Sequence, residues 1–514
     1  MNQLHACSRI VALLMVLAVL VSLMWPPDVQ AGGDQGSNRP VVVRFEDDGE
    51  GEDDEEEDAF GNGTSGVEID DDAPAAPAGA PSAPVSGDDD DFEQDDDDAE
   101  QGDFDGDGGG NGAGNATSGN TTGVRSGEIV DDDGDATTSG YFDGEAIIRL
   151  ASGVAIDEFN ARHGTHTIAG IDGRDLYLVQ LPADYDHALV DAEMAAHGDT
   201  VWAELNYASE APEGRPGYFF TSSAPDATGA GDQYALDVLG VDAARACASG
   251  SGVVVAVLDT GVDAMHPALR GRVLTTGVNI LAGTDDTSDR GNDVDDDADG
   301  TVDEMVGHGT HVAGIVAQIA PGATILPITV LNSDGIGDAF YLAGGIYEAV
   351  ARGADVINLS LGSTHNAIIV EEAIAEALAA GVTVVAAAGN AGREEPAEYP
   401  AAFPLTIGVA STGDGDRKSE FSNYGPAVTI AAPGEEIVSA VPGGALEAWG
   451  GTSMATAFVA GAAALVIGGN PDLPSEQVHD RLVSTAEDIS AANPELDGKL
   501  GAGRLDVAAA AGCP

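Results

Sequence analysis

From about Gly231 to the C-terminus, short continuous apolar runs alternate with alanine-rich stretches of helical period. The runs are Val253–Leu258, Thr324–Val330, Val356–Leu361, Thr383–Ala388 and Leu405–Val409. A run that is apolar at every position, not every second one, fits a strand covered on both faces. Between or after the runs, apolar spacing predicts helices over His308–Ile319, Ala339–Arg352, Ile368–Ala380 and Thr452–Ile467. The alternation predicts an α/β domain over 231–514, a parallel sheet with helices on both faces.

The pattern upstream is different. Glu145–Leu150 alternates as a strand, Ile156–His163 reads as a short helix, and Leu176–Leu181 as a second strand. Ala188–His197 reads as a second helix and Thr200–Tyr207 as a last strand. Together they predict a small α+β domain over 140–210. Residues 32–139 hold too few apolar side chains to offset chain entropy, and an acidic, disordered arm is expected. Its acid runs include Asp53–Asp58, Asp88–Asp91 and Asp95–Asp98. Asp103, Asp105 and Asp107 have calcium-loop spacing, but so acidic a run gives such spacings by chance.

Residues 1–31 read as a secretory signal: Arg9, an apolar stretch from Ile10 to Met24, and small residues ending at Ala31. The alternative is an uncleaved membrane anchor, for which the apolar stretch is short. The expected location is secreted, extracellular, or periplasmic or cell-surface, with no stable membrane anchor once the signal is cut.

Charge narrows the partners. The chain carries 89 acidic against 19 basic residues, a formal net charge of -70, and Lys418 and Lys499 are its only lysines. Nucleic acid is therefore not an expected partner, since phosphate contacts need basic side chains. Outside the signal the cysteines are Cys247 and Cys513, and their distance is not readable from sequence.

Three polar residues stand at the ends of apolar elements. Asp259 closes a strand in Val257-Leu258-Asp259-Thr260-Gly261. His308 opens a helix in Gly307-His308-Gly309-Thr310-His311, and Ser453 opens another after Gly450-Gly451-Thr452. Alone, Ser453 reads sooner as an ordinary N-cap than as a nucleophile. With the other two it reads as a nucleophile: His308 takes its proton, and Asp259 fixes the imidazole tautomer and stabilises the cation. Such sites form at the carboxyl ends of parallel strands. Asn390, after Ala388-Gly389, offers an amide donor to a developing oxyanion. The string His163-Gly164-Thr165-His166 imitates the histidine motif but lacks the apolar helix that should follow.

These strings, in the order Asp, His, Ser, resemble the subtilisin-like serine peptidases. The resemblance spans about 231 to the end, including Phe421–Pro426 and Gly501–Asp506. It departs at Ala457-Phe458, where many relatives have Pro-His. More weakly, 140–207 resembles the family's inhibitory, chaperone-like propeptide. The resemblance implies a secreted zymogen and a serine endopeptidase acting on polypeptides, with the propeptide as intramolecular inhibitor and a monomeric state expected. It implies that substrate adds as a strand beside Ser360, Leu361 and Gly362, near Gly389. It implies a structural role for His311 and a cis bond at Tyr399-Pro400.

The resemblance also puts Glu398 near the base of the pocket for the side chain before the cut. A carboxylate there favours Arg or Lys; the other reading is a surface Glu in an acidic loop. Between Asp259 and His308, the residues Asp295, Asp297, Asp299 and Gly300 have the spacing of half an EF-hand loop, with Asp303 as a fourth oxygen donor. Structural Ca2+ is expected there, against the alternative of a merely solvated loop; no cofactor is expected for the chemistry. The remaining functional alternatives are a processing peptidase selective for basic sites and a catalytically silent calcium- or cation-binding protein of the same fold.

Overall fold

The computed structural model describes residues 43–45, 129–130, 140–214, 220–223, 231, 233–297, 299–394 and 398–513. The signal assigned to 1–31 and most of the arm assigned to 32–139 lie outside the described residues.

The first part of the chain forms β1 (Val43–Phe45), β2 (Ile129–Val130), β3 (Tyr141–Leu150), α1 (Ile156–His163), β4 (His166–Ile171), β5 (Leu176–Gln180), α2 (Val190–Ala195) and β6 (Thr200–Glu210). The strands run in the order β1-β4-β5-β3-β6, with β2 along β3, all antiparallel. Period two along β3 sends its side chains to two different cores. Ala146, Ile148 and Leu150 meet Phe159 of α1 and Met194 of α2, while Ile147 joins the large core of the following domain.

Several expectations shift here. The helix expected over Ala188–His197 is a 3-10 turn at His187–Leu189 followed by α2. Strand β4 begins inside the string that imitates the histidine motif, because Gly164 adopts φ 70° and ends α1. Residues assigned to the arm supply β1 and β2. The last strand runs three residues past Tyr207, to Glu210.

Next come β7 (Phe220–Ser223), α3 (Tyr234–Val238), α4 (Val241–Arg245), β8 (Val254–Asp259), β9 (Val278–Asn279), α5 (His308–Ile319), β10 (Thr324–Thr329), β11 (Ile336–Asp338) and α6 (Ala339–Ala351). They are followed by β12 (Val356–Leu359), α7 (Ile368–Ala379), β13 (Thr383–Ala387), β14 (Ile407–Thr412), β15 (Ile430–Pro433), β16 (Ile437–Val441), β17 (Ala445–Gly450), α8 (Thr452–Gly469), α9 (Ser475–Ser484) and α10 (Val507–Ala511). The main sheet has the order β15-β14-β13-β12-β8-β10-β9, and every pairing in it is parallel. Every residue of β12, β13 and β14 is buried, as continuous apolar runs require. Helix α5 packs on α8 and α6 on α7. A separate antiparallel sheet has the order β16-β17-β7.

Helix α8 is long and apolar enough to cross a membrane, yet 89% of it is buried inside the protein, so it is a core helix. Cys247 and Cys513, 266 residues apart in sequence, are disulfide-bonded with Cα atoms 6.0 Å apart.

The two parts are held together by specific contacts. The Glu204 carboxylate accepts the Ile368 and Ile369 N–H groups at 2.7 and 2.8 Å, satisfying free donors at the start of α7. Arg149 pairs with Glu372 and Arg174 with Glu376 on that helix, both at 2.6 Å. The Tyr207 ring stacks on His365, with centroids 4.4 Å apart. Strand β6 continues across the boundary and pairs antiparallel with β11, Glu210 opposite Ile336 and Ala208 opposite Asp338.

Candidate active site

Strand β8 ends in Asp259, α5 begins at His308, and α8 begins one residue before Ser453. All three side chains are buried. His308 Nδ1 lies 2.7 Å from Asp259 Oδ1, which also accepts the Thr260 N–H at 2.8 Å. This closeness depends on Gly309: a Cβ there would lie 2.2 Å from the Gly261 carbonyl oxygen. Only glycine lets the turn after Asp259 approach the helix bearing the imidazole. Burial opposes the His308 cation, but the Asp259 charge and hydrogen bond, and then those of Glu213, outweigh it and raise the imidazole to about 10.

Asn390 sits beyond the end of β13 with its amide fixed by Thr452, whose N–H and Oγ1–H both donate to Asn390 Oδ1, at 3.0 and 2.8 Å. Its Nδ2 is thereby free to donate into the same pocket as the Ser453 N–H. His311 is buried, its Nε2 3.1 Å from the Glu447 carbonyl oxygen and its ring stacked 5.2 Å from that of Trp449. Burial pushes it down to about 3, so it is a neutral packing residue.

Two residues that sequence reasoning missed bear on this site. Asp289 is buried and tethers both halves. Its carboxylate accepts the Gly307 N–H at 2.9 Å, the Thr310 N–H at 3.0 Å and the Thr310 hydroxyl at 2.6 Å, and lies 3.3 Å from Thr260 Oγ1. Burial raises it to about 6 against those hydrogen bonds. The second is Glu213. Its Oε2 accepts the Ser453 hydroxyl at 2.7 Å and lies 3.2 Å from His308 Nε2; its Oε1 accepts Asn390 Nδ2–H at 3.0 Å. The nearest sequence signal was its place just past a segment resembling a propeptide.

Beside Gly362, where a substrate strand is expected, lies a strand of this chain itself. Glu210 and Gly362 exchange both backbone hydrogen bonds at 2.9 Å, and the Ala211 N–H donates to Gly335 O at 2.9 Å. Residues 208–211 thus lie between β11 and the turn after β12. Ser360 Oγ donates to the Ser453 carbonyl oxygen at 3.1 Å, and Leu361 is fully buried. The Glu398 carboxylate is buried between the walls of this cleft. A Cβ on Gly389 would lie 2.3 Å from its Oε1, and one on Gly362 would lie 2.7 Å from its Oε2. Asn423 Nδ2 donates to it at 3.3 Å. It is not a surface Glu. The adjoining Tyr399-Pro400 bond is cis.

In the acidic loop, Asp295, Asp297 and Asp299 converge, each offering an oxygen within 4.8 Å of the others. Asp303 does not join them. Its carboxylate is taken by the Asn292 and Asp293 N–H groups at 2.8 and 3.1 Å. Spacing alone could not show this competition. Both oxygens of Glu304 and Oδ1 of Asp295 are buried with no hydrogen-bond partner among the described residues. Burial raises Glu304, and the charges of Asp334, Asp297 and Asp299 add to it. Orphaned oxygens and crowded carboxylates are the donor set a hard cation suits.

The segment that carries these residues is similar to known proteins. A family model described as "Subtilase family" matches residues 250–503. Thermitase from Thermoactinomyces vulgaris is 40% identical over 47% of this chain and 84% of its own length. Subtilisin NAT from Bacillus subtilis subsp. natto is 37% identical over 46% of this chain, which spans 61% of that relative. The crystal structure of fervidolysin from Fervidobacterium pennivorans, a keratinolytic enzyme related to subtilisin, matches with TM-score 0.60 and 25% identity over 77% of this chain and 64% of its own. That share of this chain is larger than 250–503 alone supplies. With one such relative matched over most of its length, and the matched segment carrying Asp259, His308, Asn390 and Ser453, the chain belongs to the subtilase family.

Proposed function

We propose that this protein is a secreted serine endopeptidase made as a zymogen. The observation that carries the reading is the convergence of His308 Nε2, Ser453 Oγ and Asn390 Nδ2 on one small volume at the end of the substrate-like strand 208–211. With that volume occupied by a peptide carbonyl, Ser453 Oγ attacks the carbon as its proton passes to His308 Nε2. The oxyanion is held by Asn390 Nδ2–H and the Ser453 N–H, a contribution worth about 3 kcal/mol for one such donor. His308 then returns the proton to the leaving amine, and water repeats the sequence on the acyl-enzyme. Asp259 holds the imidazole in position and balances its charge throughout.

Residues 140–210 act as the inhibitory propeptide, and the acidic loop holds Ca2+ through Asp295, Asp297 and Asp299. Its role is to fix the segment leading into α5; it takes no part in the chemistry. Export by the segment 1–31 completes the reading. The test is mass spectrometry of the purified full chain beside Ser453→Ala, with a peptide library added. Loss of N-terminal residues and library cleavage by the unaltered protein alone are expected. Cleavage by the purified variant overturns the assignment.

The buried Glu398 favours one refinement. A carboxylate between the cleft walls selects Arg or Lys before the cut, making the enzyme selective for basic sites.

A further inference from the structure

Strand β6 enters the cleft as a substrate would, but the chain does not continue as one. The Gly214 N–H donates to the Ala211 carbonyl oxygen at 3.0 Å, closing a β-turn over Ala211-Pro212-Glu213-Gly214. Proline in the second place and glycine in the fourth are the residues such a turn favours. The turn takes the backbone out of the extended form just where Ser453 would meet a peptide bond. What it presents to Ser453 is a side chain.

We propose that Glu213 is a tethered carboxylate ligand of the oxyanion pocket. The proposal rests on the reading of Ser453, His308 and Asn390 as peptidase machinery, and gives the means by which that machinery is kept silent. Glu213 is 1% exposed. A carboxylate so buried is costly unless it is paired and hydrogen-bonded. Every partner it has here belongs to the site: Ser453 Oγ at 2.7 Å, Asn390 Nδ2 at 3.0 Å, His308 Nε2 at 3.2 Å and the Ser453 N–H at 3.4 Å. The pocket is shaped for it, since a Cβ on Gly451 would lie 1.6 Å from its Oε1.

Three consequences follow for the chemistry. Oε1 occupies the place of the oxyanion. Oε2 takes the Ser453 hydroxyl proton as a hydrogen bond and stands between the nucleophile and its base. Asp259 does most to keep His308 protonated, and the Glu213 hydrogen bond and charge add to it, so the base already holds the proton it should accept. The ionisable groups around the contact are Asp259, which reinforces the His308 cation, and His311, which burial keeps neutral. No bond is presented for cutting, so the contact inhibits without being consumed. Maturation requires the turn to leave the pocket first.

The experiment has two arms. In the full chain, maturation of the unaltered protein is timed beside Glu213→Gln and Glu213→Ala, and Ser453 is titrated with a fluorophosphonate. Maturation and labelling at least about tenfold faster in both variants are expected, from loss of the charged contacts. Equal rates overturn the proposal. In full-length Ser453→Ala, which cannot mature, the His308 imidazole is titrated by NMR with and without Glu213→Gln. A midpoint lower by at least about one pH unit in the double variant is expected; an unchanged midpoint overturns the proposal. If no protein cuts or labels, the peptidase reading fails, and the titration still decides whether Glu213 holds the histidine.

Discussion

Asp289 accepts both the N–H and the hydroxyl of Thr310, at 3.0 and 2.6 Å, and so fixes the first turn of the helix that carries His308. The same carboxylate reaches Thr260, next to Asp259, and the Thr260 hydroxyl oxygen accepts the Gly309 N–H at 3.1 Å. One side chain thus ties together the two turns whose relative position sets the 2.7 Å contact between histidine and aspartate. Asp289→Asn keeps the shape but loses one oxygen acceptor. It is expected to lower kcat about 10- to 100-fold with little change in KM, since a misplacement of about 1 Å at the base has that effect. Steady-state kinetics on a short peptide checks it; an equal rise in KM with kcat intact would reject the positioning role.

The ionisation of His308 predicts how the stability of the full chain depends on pH. Its folded value of about 10 lies above the ordinary 6.5. The stabilisation from the charged imidazole is therefore complete below about 6.5 and is lost as pH rises through about 10. Full-length Ser453→Ala should lose Tm across that window, and the loss should be smaller with Glu213→Gln. A Tm that does not vary between pH 6.5 and 10 would contradict the charged assignment.

Chelation tests the acidic loop. With Ca2+ at about 100 times its Kd, removal should cost about 2.7 kcal/mol, or about 5 °C in Tm. Asp297→Asn should lower Tm in Ca2+ and abolish the response to EDTA. Identical melting curves with and without chelator would leave the loop merely solvated.

The proposed preference for basic residues turns on Glu398. Glu398→Gln keeps the size and removes the charge. The ratio of cleavage after Arg or Lys to cleavage after aromatic residues should fall about tenfold or more, the scale of one charge-assisted contact. A library profile in which that ratio stays fixed would place the selectivity elsewhere.

The main sheet was legible because its central strands are buried on both faces, and such strands write themselves as unbroken apolar runs. Helix His308–Ile319 was read to the residue, since a polar opening and an apolar body mark both its ends. Strand β4 was not read: with Thr167 and Gly170 among its six residues, its apolar signal is thin. Asp259, His308 and Ser453 were legible through the short strings around each. Glu213 was not, because it lies 95 residues from His308 and 240 from Ser453, and only the fold brings them together. Asp303 was misjudged for the complementary reason: its spacing suits a metal, but nearby backbone donors hold it.

While it is in place, strand β6 pairs with β11, exchanges both backbone hydrogen bonds with Gly362 and donates to the Gly335 carbonyl oxygen. When it withdraws, those groups become an unpaired sheet edge, and an edge is a template for the next strand that arrives. On the proposed zymogen reading, activation builds no new substrate site; it uncovers one already moulded on this chain's own strand. Under that proposal inhibitor and substrate compete for a single row of backbone partners, so a change along 335–337 or at Gly362 that grips peptides harder should also delay release of the inhibitor. Turnover and latency are then two readings of the same edge, and neither can be tuned there without moving the other.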